Sequence, residues 1–366
     1  MKKSLIALIL ICVIASVLIY QNRSNPESNN DSKPTIKIGV TLPLTGDAAQ
    51  FGLTNQEAVN LALNKWKNQP TKFNYEAIFM DDKVSPKQGI LNASNLIGNY
   101  HINAILSQWT PVGVVVSPIA EKNQIIHFTC SFGDEVTKGD YNFNHYTSFE
   151  EQSKTLIQKF QKENIKNINY VIVNTSGCAE QSDYVIKKLK EAGINILNTQ
   201  YYNPDERDFR IMISKLEQAN PDYYLLCTAP PSSQIFIKQL GEITGRKNIT
   251  AIDSFNEMNK EDLSLVEGLW FVSSASGTEQ FAEYFQAETG KETTSCAANL
   301  YDAVDLLIRA YEKSGTADNK QVIETLYKTR NHTGAAGLVS IDNQGIVQSK
   351  ASIKVVKDGK IVDLKE

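Results

Sequence analysis

Ile36-Lys-Ile-Gly-Val-Thr-Leu-Pro-Leu-Thr-Gly-Asp-Ala-Ala-Gln-Phe-Gly52 is the stretch that decides the fold. The apolar run Ile36 to Leu44 reads as a buried strand. Pro43 ends its ladder, Gly46 and Gly52 allow a tight turn, and an amphipathic pattern at 53–67 reads as a helix. A strand that turns directly into a helix leaves backbone N–H groups unpaired at the helix start. Such a terminus is suited to polar or anionic groups at the edge of a cleft.

Upstream of it, Met-Lys-Lys precedes an apolar stretch from Leu5 to Tyr20 broken only by Ser16. Two lysines before a core of that length read as an export leader, and the core is short for a membrane span of roughly 20 residues. It is read as either a cleaved signal, with Val13 and Ala15 at the cleavage site, or a retained anchor. Cys12 suggests a lipoprotein, but bulky Ile11 precedes it where lipidation signals want a small residue. All three readings put the body of the chain in the periplasm or on the outer face of the cytoplasmic membrane. Residues 21–35 are polar and Asn/Ser/Pro-rich, as in a tether.

Downstream, strand-like runs at 75–80, 103–107, 125–129, 168–174, 195–202, 223–227, 249–253 and 269–274 alternate with amphipathic segments. Continuous apolar strands between helices imply parallel sheets covered on both faces. The β/α unit occurs twice, over 36–129 and 168–274, and the 366-residue chain is long enough for two cores. Asn142 to Glu150 is short and extended and reads as a crossover. Helical patterns follow at 278–289, 297–313 and 319–329. The chain ends in strand-like 337–342 and 351–364, with an Asp358-Gly359 hairpin signal in the latter. Cys130, Cys178, Cys227 and Cys296 are an even count in an oxidising compartment. They are either buried thiols or bridged. Cys178 with Cys227 is the expected pair, because each follows a strand of the same half.

Leu42-Pro-Leu-Thr-Gly46, Met80-Asp-Asp82, Pro118-Ile-Ala-Glu-Lys122, Asn220-Pro-Asp222, Tyr301-Asp-Ala-Val304 and Asp342-Asn-Gln-Gly345 stand in that order. In order and spacing, over nearly the whole chain after the leader, they resemble the type 1 periplasmic solute-binding proteins of the Leu/Ile/Val-binding family. The resemblance implies two Rossmann-like α/β lobes with mostly parallel sheets joined by a three-strand hinge. It divides the chain into 1–35 as leader and tether, 36–147 with 276–333 as the first lobe, and 148–275 with 334–366 as the second. A solute would lie between the lobes and close them, and an ABC permease would receive it.

The family's ligand positions fall on particular residues here. Phe51 matches an aromatic wall or is a core aromatic. Thr110 matches a hydroxyl that binds a carboxylate, and also fits a helix cap before Pro111. Ser107 and Trp109 share its loop, with Trp109 facing the cleft. Ser131, Phe132 and Gly133 follow the strand 125–129, with Gly133 where amino-acid binders carry Thr. Gly177-Cys178 stands where the family shows an aromatic-Gly pair, and Thr228-Ala-Pro-Pro231 replaces a Gly-containing turn. Asp253 matches the carboxylate that grips an ammonium group, or is a cap or loop acid. Asp302 matches a family Asp near the cleft, with capping or hinge contacts as the alternative.

Net charge is −4 with acids and bases dispersed, which argues against a nucleic-acid surface. The four His residues share no metal-ligand spacing with one another or with Cys, and no metal or cofactor is expected. Nucleophile-elbow, Walker A, zincin and dinucleotide motifs are missing from the sequence. The resemblance, with these absences, implies a non-catalytic, monomeric receptor for a small polar metabolite. The alternatives are a tethered sensor that reports occupancy to a signalling partner, or a hydrolase using Cys178 or Cys130.

Overall fold

The computed structural model describes residues 33–133, 135–245, 248–274 and 277–364. The leader, Cys12 and most of the tether lie outside the described residues, as does the expected boundary at 275/276. Among the described residues, no helix is long and apolar enough to cross a membrane.

The first lobe is built on a five-stranded sheet of β1 (Thr35–Leu42), β2 (Asn74–Asp81), β3 (Ala104–Gln108), β4 (Ile126–Cys130) and β5 (Asn142–Asn144), in the order β2-β1-β3-β4-β5. The pairs β1–β3, β3–β4 and β4–β5 are parallel. The helix Ala49–Lys67 and the helix Ala297–Ser314 lie together over this sheet, and one core holds Val40, Leu106, Phe128, Val304 and Leu307. The second lobe repeats the plan with β6 (Asn167–Val173), β7 (Asn195–Tyr202), β8 (Tyr223–Cys227) and β9 (Ile249–Ala251), all parallel, in the order β7-β6-β8-β9. β10 (Trp270–Ser273) pairs antiparallel with the C-terminal hairpin described below, and an isolated bridge joins Ile252 to Val272. Two clusters form this lobe's core, one around Phe236 and Phe271 and one around Phe160 and Leu225. The two-lobed, mostly parallel α/β architecture expected from the sequence is present.

The polypeptide passes between lobes three times, near Asn144–Phe149, after Ser274 and near Gln348–Ser352. Ser148 caps the helix Phe149–Lys162, accepting from the Glu151 N–H at 3.4 Å, with acids in its first turn and lysines in its last. Thr147 and Ser349 share a hydrogen bond of 3.0 Å, so the first and third crossovers are tied side by side.

One boundary needs correction. β11 (His332–Gly334), β12 (Gly337–Ile341) and β13 (Val347–Gln348) form a small antiparallel sheet. Ala335, Ala336, Val339, Ile341 and Val347 belong to the first lobe's core, not the second's as the expected split at 333/334 has it. The reason is local: Asp302 holds the Ala335 and Ala336 N–H groups, and Asn144 N–H donates to Gly345 O at 3.0 Å. The chain joins the second lobe only at β14 (Ser352–Lys357), which turns through Asp358-Gly359 into β15 (Lys360–Asp363). Both turn residues have positive φ, 52° and 66°, as a two-residue hairpin of this hand requires.

Buried ionisable groups give opposing pH dependences. Burial pushes His127 and His145 down to about 4, so the folded state binds fewer protons than the unfolded chain between about 4 and 6.5. Their contribution is fully present above that window and is lost as pH falls through it. Burial lifts Asp82 and Asp302 to about 6; their contribution is present below about 4 and is lost as pH rises to 6. The two pairs offset each other. Replacing both imidazoles (His127→Gln with His145→Gln) leaves the acid pair alone. Each imidazole accounts for roughly 2 kcal/mol over that window, so the double variant is expected to gain on the order of 4 kcal/mol relative to wild type between about pH 6.5 and 4.5. Urea midpoints at both pH values check this; parallel profiles would contradict it.

Candidate functional site

The C-terminal ends of the parallel strands face the other lobe, and the turns there set the local geometry. In the turn after β1, Asp81 accepts from Leu44 N–H at 2.9 Å and from the Thr45 hydroxyl at 2.5 Å. Asp82 accepts from the Thr41 hydroxyl at 3.0 Å. The acid pair braces the turn on both sides. A Cβ at Gly52 would stand 2.0 Å from the Pro43 carbonyl oxygen, so only glycine lets the helix start this close to the strand end. That contact fixes Phe51, which meets Trp109 edge-on with ring centroids 5.4 Å apart.

Trp109, not Thr110, is the capping residue of the helix Thr110–Lys122, and it holds a left-handed φ of 65°. Thr110 is the first helical residue. Its hydroxyl donates to Phe132 O and accepts from Phe132 N–H, each at 3.0 Å. Ser107 lies a layer deeper, buried, with its hydroxyl 2.8 Å from His127 Nε2 and 2.9 Å from Thr129 Oγ1. Ser131 is also buried. Its N–H donates to Asn144 Oδ1 at 3.1 Å, and its hydroxyl lies 2.6 Å from Thr129 Oγ1. The expected direct ligand contacts from Ser107, Thr110 and Ser131 therefore correspond to hydrogen bonds within the first lobe.

Phe132 stands at the lobe interface, its ring 5.4 Å from Tyr146 and 5.5 Å from Phe149. A Cβ at Gly177 would lie 3.6 Å from that ring. Gly133, at φ 86°, leaves room for the Glu180 carboxylate, which comes from the second lobe's helix Ser176–Glu191. Phe132, Gly133, Gly177 and Glu180 thus bring the lobes into contact at one end of the interface. Thr228 is buried. Its N–H donates to Ser254 Oγ at 3.1 Å, while its own Oγ1 has no hydrogen-bond partner among the described residues.

A cleft of about 820 Å³ opens between the lobes. Phe51, Asn299 and the segment Glu292–Cys296 line it from the first lobe; Asn256, Met258 and the β14–β15 hairpin line it from the second. Tyr146 and Ser274, on two of the crossovers, also line it. Asp253 lies on this surface but differs from the expectation of an ammonium grip. Its Oδ1 accepts from Ser274 N–H (2.7 Å) and Asn256 Nδ2 (3.0 Å). Its Oδ2 accepts from the Tyr146 hydroxyl (2.7 Å), Gln152 Nε2 (2.8 Å) and the Ser274 hydroxyl (2.9 Å). Five donors fill a carboxylate with about four lone-pair sites, leaving none for a ligand. Burial raises the Asp253 carboxyl above its usual range, against the pull of these donors. Asp302 is buried away from the cleft lining and accepts from Ala335 N–H (2.5 Å) and Ala336 N–H (2.8 Å), the capping alternative of the sequence reading.

Tyr146, Ser274 and Glu180 escape a reading by motif. Only the extended join around Tyr146 hinted at a crossover. The bridges are Cys178–Cys227, as expected, and Cys130–Cys296, which was not. Among the described residues, no three His, Cys, Asp or Glu side chains are grouped to hold a metal.

The family model for periplasmic binding proteins matches residues 35–360. The Leu/Ile/Val-binding protein BraC3 of Rhizobium johnstonii is 22% identical over 341 residues, covering 89% of this chain and 93% of the relative. The leucine binding protein LivK of Thermotoga maritima has a TM-score of 0.79 at 23% identity, over 90% of this chain and 98% of its own. A solute binding protein of an ABC transporter from Rhodopseudomonas palustris, solved with 3,4-dihydroxy benzoic acid, has a TM-score of 0.76 at 20% identity, over 91% and 96%. At these identities the solved structures establish a shared fold. With a family model spanning both lobes and all three crossovers, the chain belongs to the periplasmic binding protein family.

Proposed function

We propose that this chain captures a small polar metabolite, an amino acid or a related compound, between its lobes outside the cytoplasm, and delivers it unchanged to an ABC permease. The observation that carries this reading is the cleft of about 820 Å³, lined by both lobes and by residues of two crossovers. A solute touching both walls stabilises the closed arrangement by its differential affinity for it. A permease that distinguishes closed from open would then read occupancy. The protein acts as a monomer, binds no nucleic acid and is exported by its leader to the periplasm or to the outer face of the cytoplasmic membrane, with the leader either cleaved or retained as an anchor. BraC3 and LivK point to leucine, isoleucine and valine as the first compounds to examine. Cys130 and Cys178 are both bridged, so neither offers the thiolate that the hydrolase alternative requires.

The test is a thermal-shift screen of amino acids, amides and small carboxylates. Calorimetry, X-ray scattering and recovery of the ligand follow for any hit. Binding is expected to contract the particle and return the ligand intact. A screen without hits, or a hit that is chemically converted, would overturn the proposal.

A further inference from the structure

Phe132 carries the first lobe into contact with the second at a place that is not a crossover. The loop that presents it, just after β4, is pinned to the first lobe from two sides. Thr110 holds both the N–H and the carbonyl of Phe132. Asn144 Nδ2 donates to Ser131 O and to Gly133 O, each at 2.9 Å. The ring therefore projects from a fixed base, and ordering it against a partner costs little.

Its seat belongs to the second lobe. Phe149, the first residue of the helix Phe149–Lys162, meets the ring edge-on, at 66° between planes. Phe149 is buried and is backed by Tyr184, with ring centroids 6.5 Å apart. Gly177, in the first turn of the helix Ser176–Glu191, presents no side chain, so the ring lies close over that turn. Tyr146, on the first crossover, packs along another side of the ring. None of Phe132, Gly133, Gly177 and Glu180 lines the cleft, so the contact and the cleft occupy separate parts of the lobe interface.

We propose that Phe132 is an interlobe latch. It keeps its end of the interface shut in the ligand-free protein, and the lobes swing about it to close the end where the cleft lies. An edge-on aromatic pair, with the apolar area the ring buries over Gly177, favours the engaged lobes about tenfold. A larger share of nearly closed molecules raises the apparent affinity for any solute that needs both walls. Thr110 thereby serves closure as the base of the latch. The proposal adds to the capture reading a device that works before any solute arrives, whatever that solute is.

X-ray scattering of the intact chain without solute tests it. Phe132→Ala is expected to raise the radius of gyration by about 1 Å, against roughly 20 Å for a compact body of this size. Gly177→Leu places a side chain in the ring's seat and is expected to expand the particle likewise. Combined with Phe132→Ala it is expected to add nothing, because the seat is then empty. Circular dichroism reports whether each variant is folded. Should Phe132→Ala not fold, Phe132→Leu is expected to give about half the expansion, since it keeps apolar volume and loses the ring pair. An unchanged radius in the folded Phe132 variant overturns the latch. So do expansions by Phe132→Ala and Gly177→Leu that simply add. No solute enters this experiment, so the latch can fail while capture stands, and a solute screen without hits leaves the latch untouched.

Discussion

Asp253→Ala is expected to destabilise the ligand-free protein by on the order of 4 kcal/mol. The carboxylate is buried and accepts from Tyr146, Gln152, Asn256 and twice from Ser274. Removing it leaves those donors facing an apolar methyl group, and each unsatisfied buried donor costs about 1–3 kcal/mol. Relief of the anion's own desolvation recovers part of the sum, so the net is less than five full penalties. In thermal terms the loss is roughly 10 °C. Tyr146 comes from the first crossover and Ser274 from the second, so the same change unties the two strands on which hinge motion depends. Asp253→Asn is expected to be nearly as damaging, because half of the amide turns a donor toward groups that are already donors. Urea unfolding without ligand distinguishes this role from a ligand grip. A variant within about 1 kcal/mol of wild type that had lost only its ligand would show that the carboxylate serves the solute and not the hinge.

That contrast marks how far the sequence could be read. Strand and helix positions rest on local patterns. The run Ile168 to Asn174 reads as a strand because β-branched and aromatic residues dominate it, with Asn169 the one polar residue before its end, and it became most of β6. Leu300, Val304, Leu307 and Tyr311 share one helical face and are all buried in the first lobe. Asp358-Gly359 carries its turn chemistry in two residues. The resemblance likewise placed Phe51, Gly177 and Asp253 at the lobe interface. What it could not convey is whether a polar atom there is already occupied. Asp253 is filled by Tyr146, 107 positions away, and Thr110 by Phe132, 22 positions away. Those partnerships follow from three-dimensional crowding at the crossovers, and no periodicity encodes them. The same holds for the segment 335–347, whose place in the first lobe follows from two N–H groups on a buried Asp302.

Replacing the Cys130–Cys296 bridge by two serines is expected to lower stability by about 5 kcal/mol, the largest single effect proposed. The two cysteines are 166 positions apart, with Cα atoms at 5.9 Å. Cys130 ends β4, and Cys296 precedes the helix Ala297–Ser314, which rejoins the first lobe after the chain has built most of the second. The bridge therefore encloses the two crossovers at 144–149 and after 274, together with everything between them. In the chain-entropy account, closing so long a loop restricts the unfolded ensemble more than the 49-position Cys178–Cys227 loop does, where about 4 kcal/mol is expected. Cys296 also lines the cleft, so the bridge fixes one wall of it against the sheet. Opening both bridges with reductant should lower the unfolding midpoint further than either serine pair alone. The order of effects is the discriminating result. If the 166-position bridge proved the weaker of the two, loop entropy would not be its main contribution. If the double-serine variant unfolded within about 1 kcal/mol of wild type, packing of the helix Ala297–Ser314 against the helix Ala49–Lys67 would by itself hold the first lobe together.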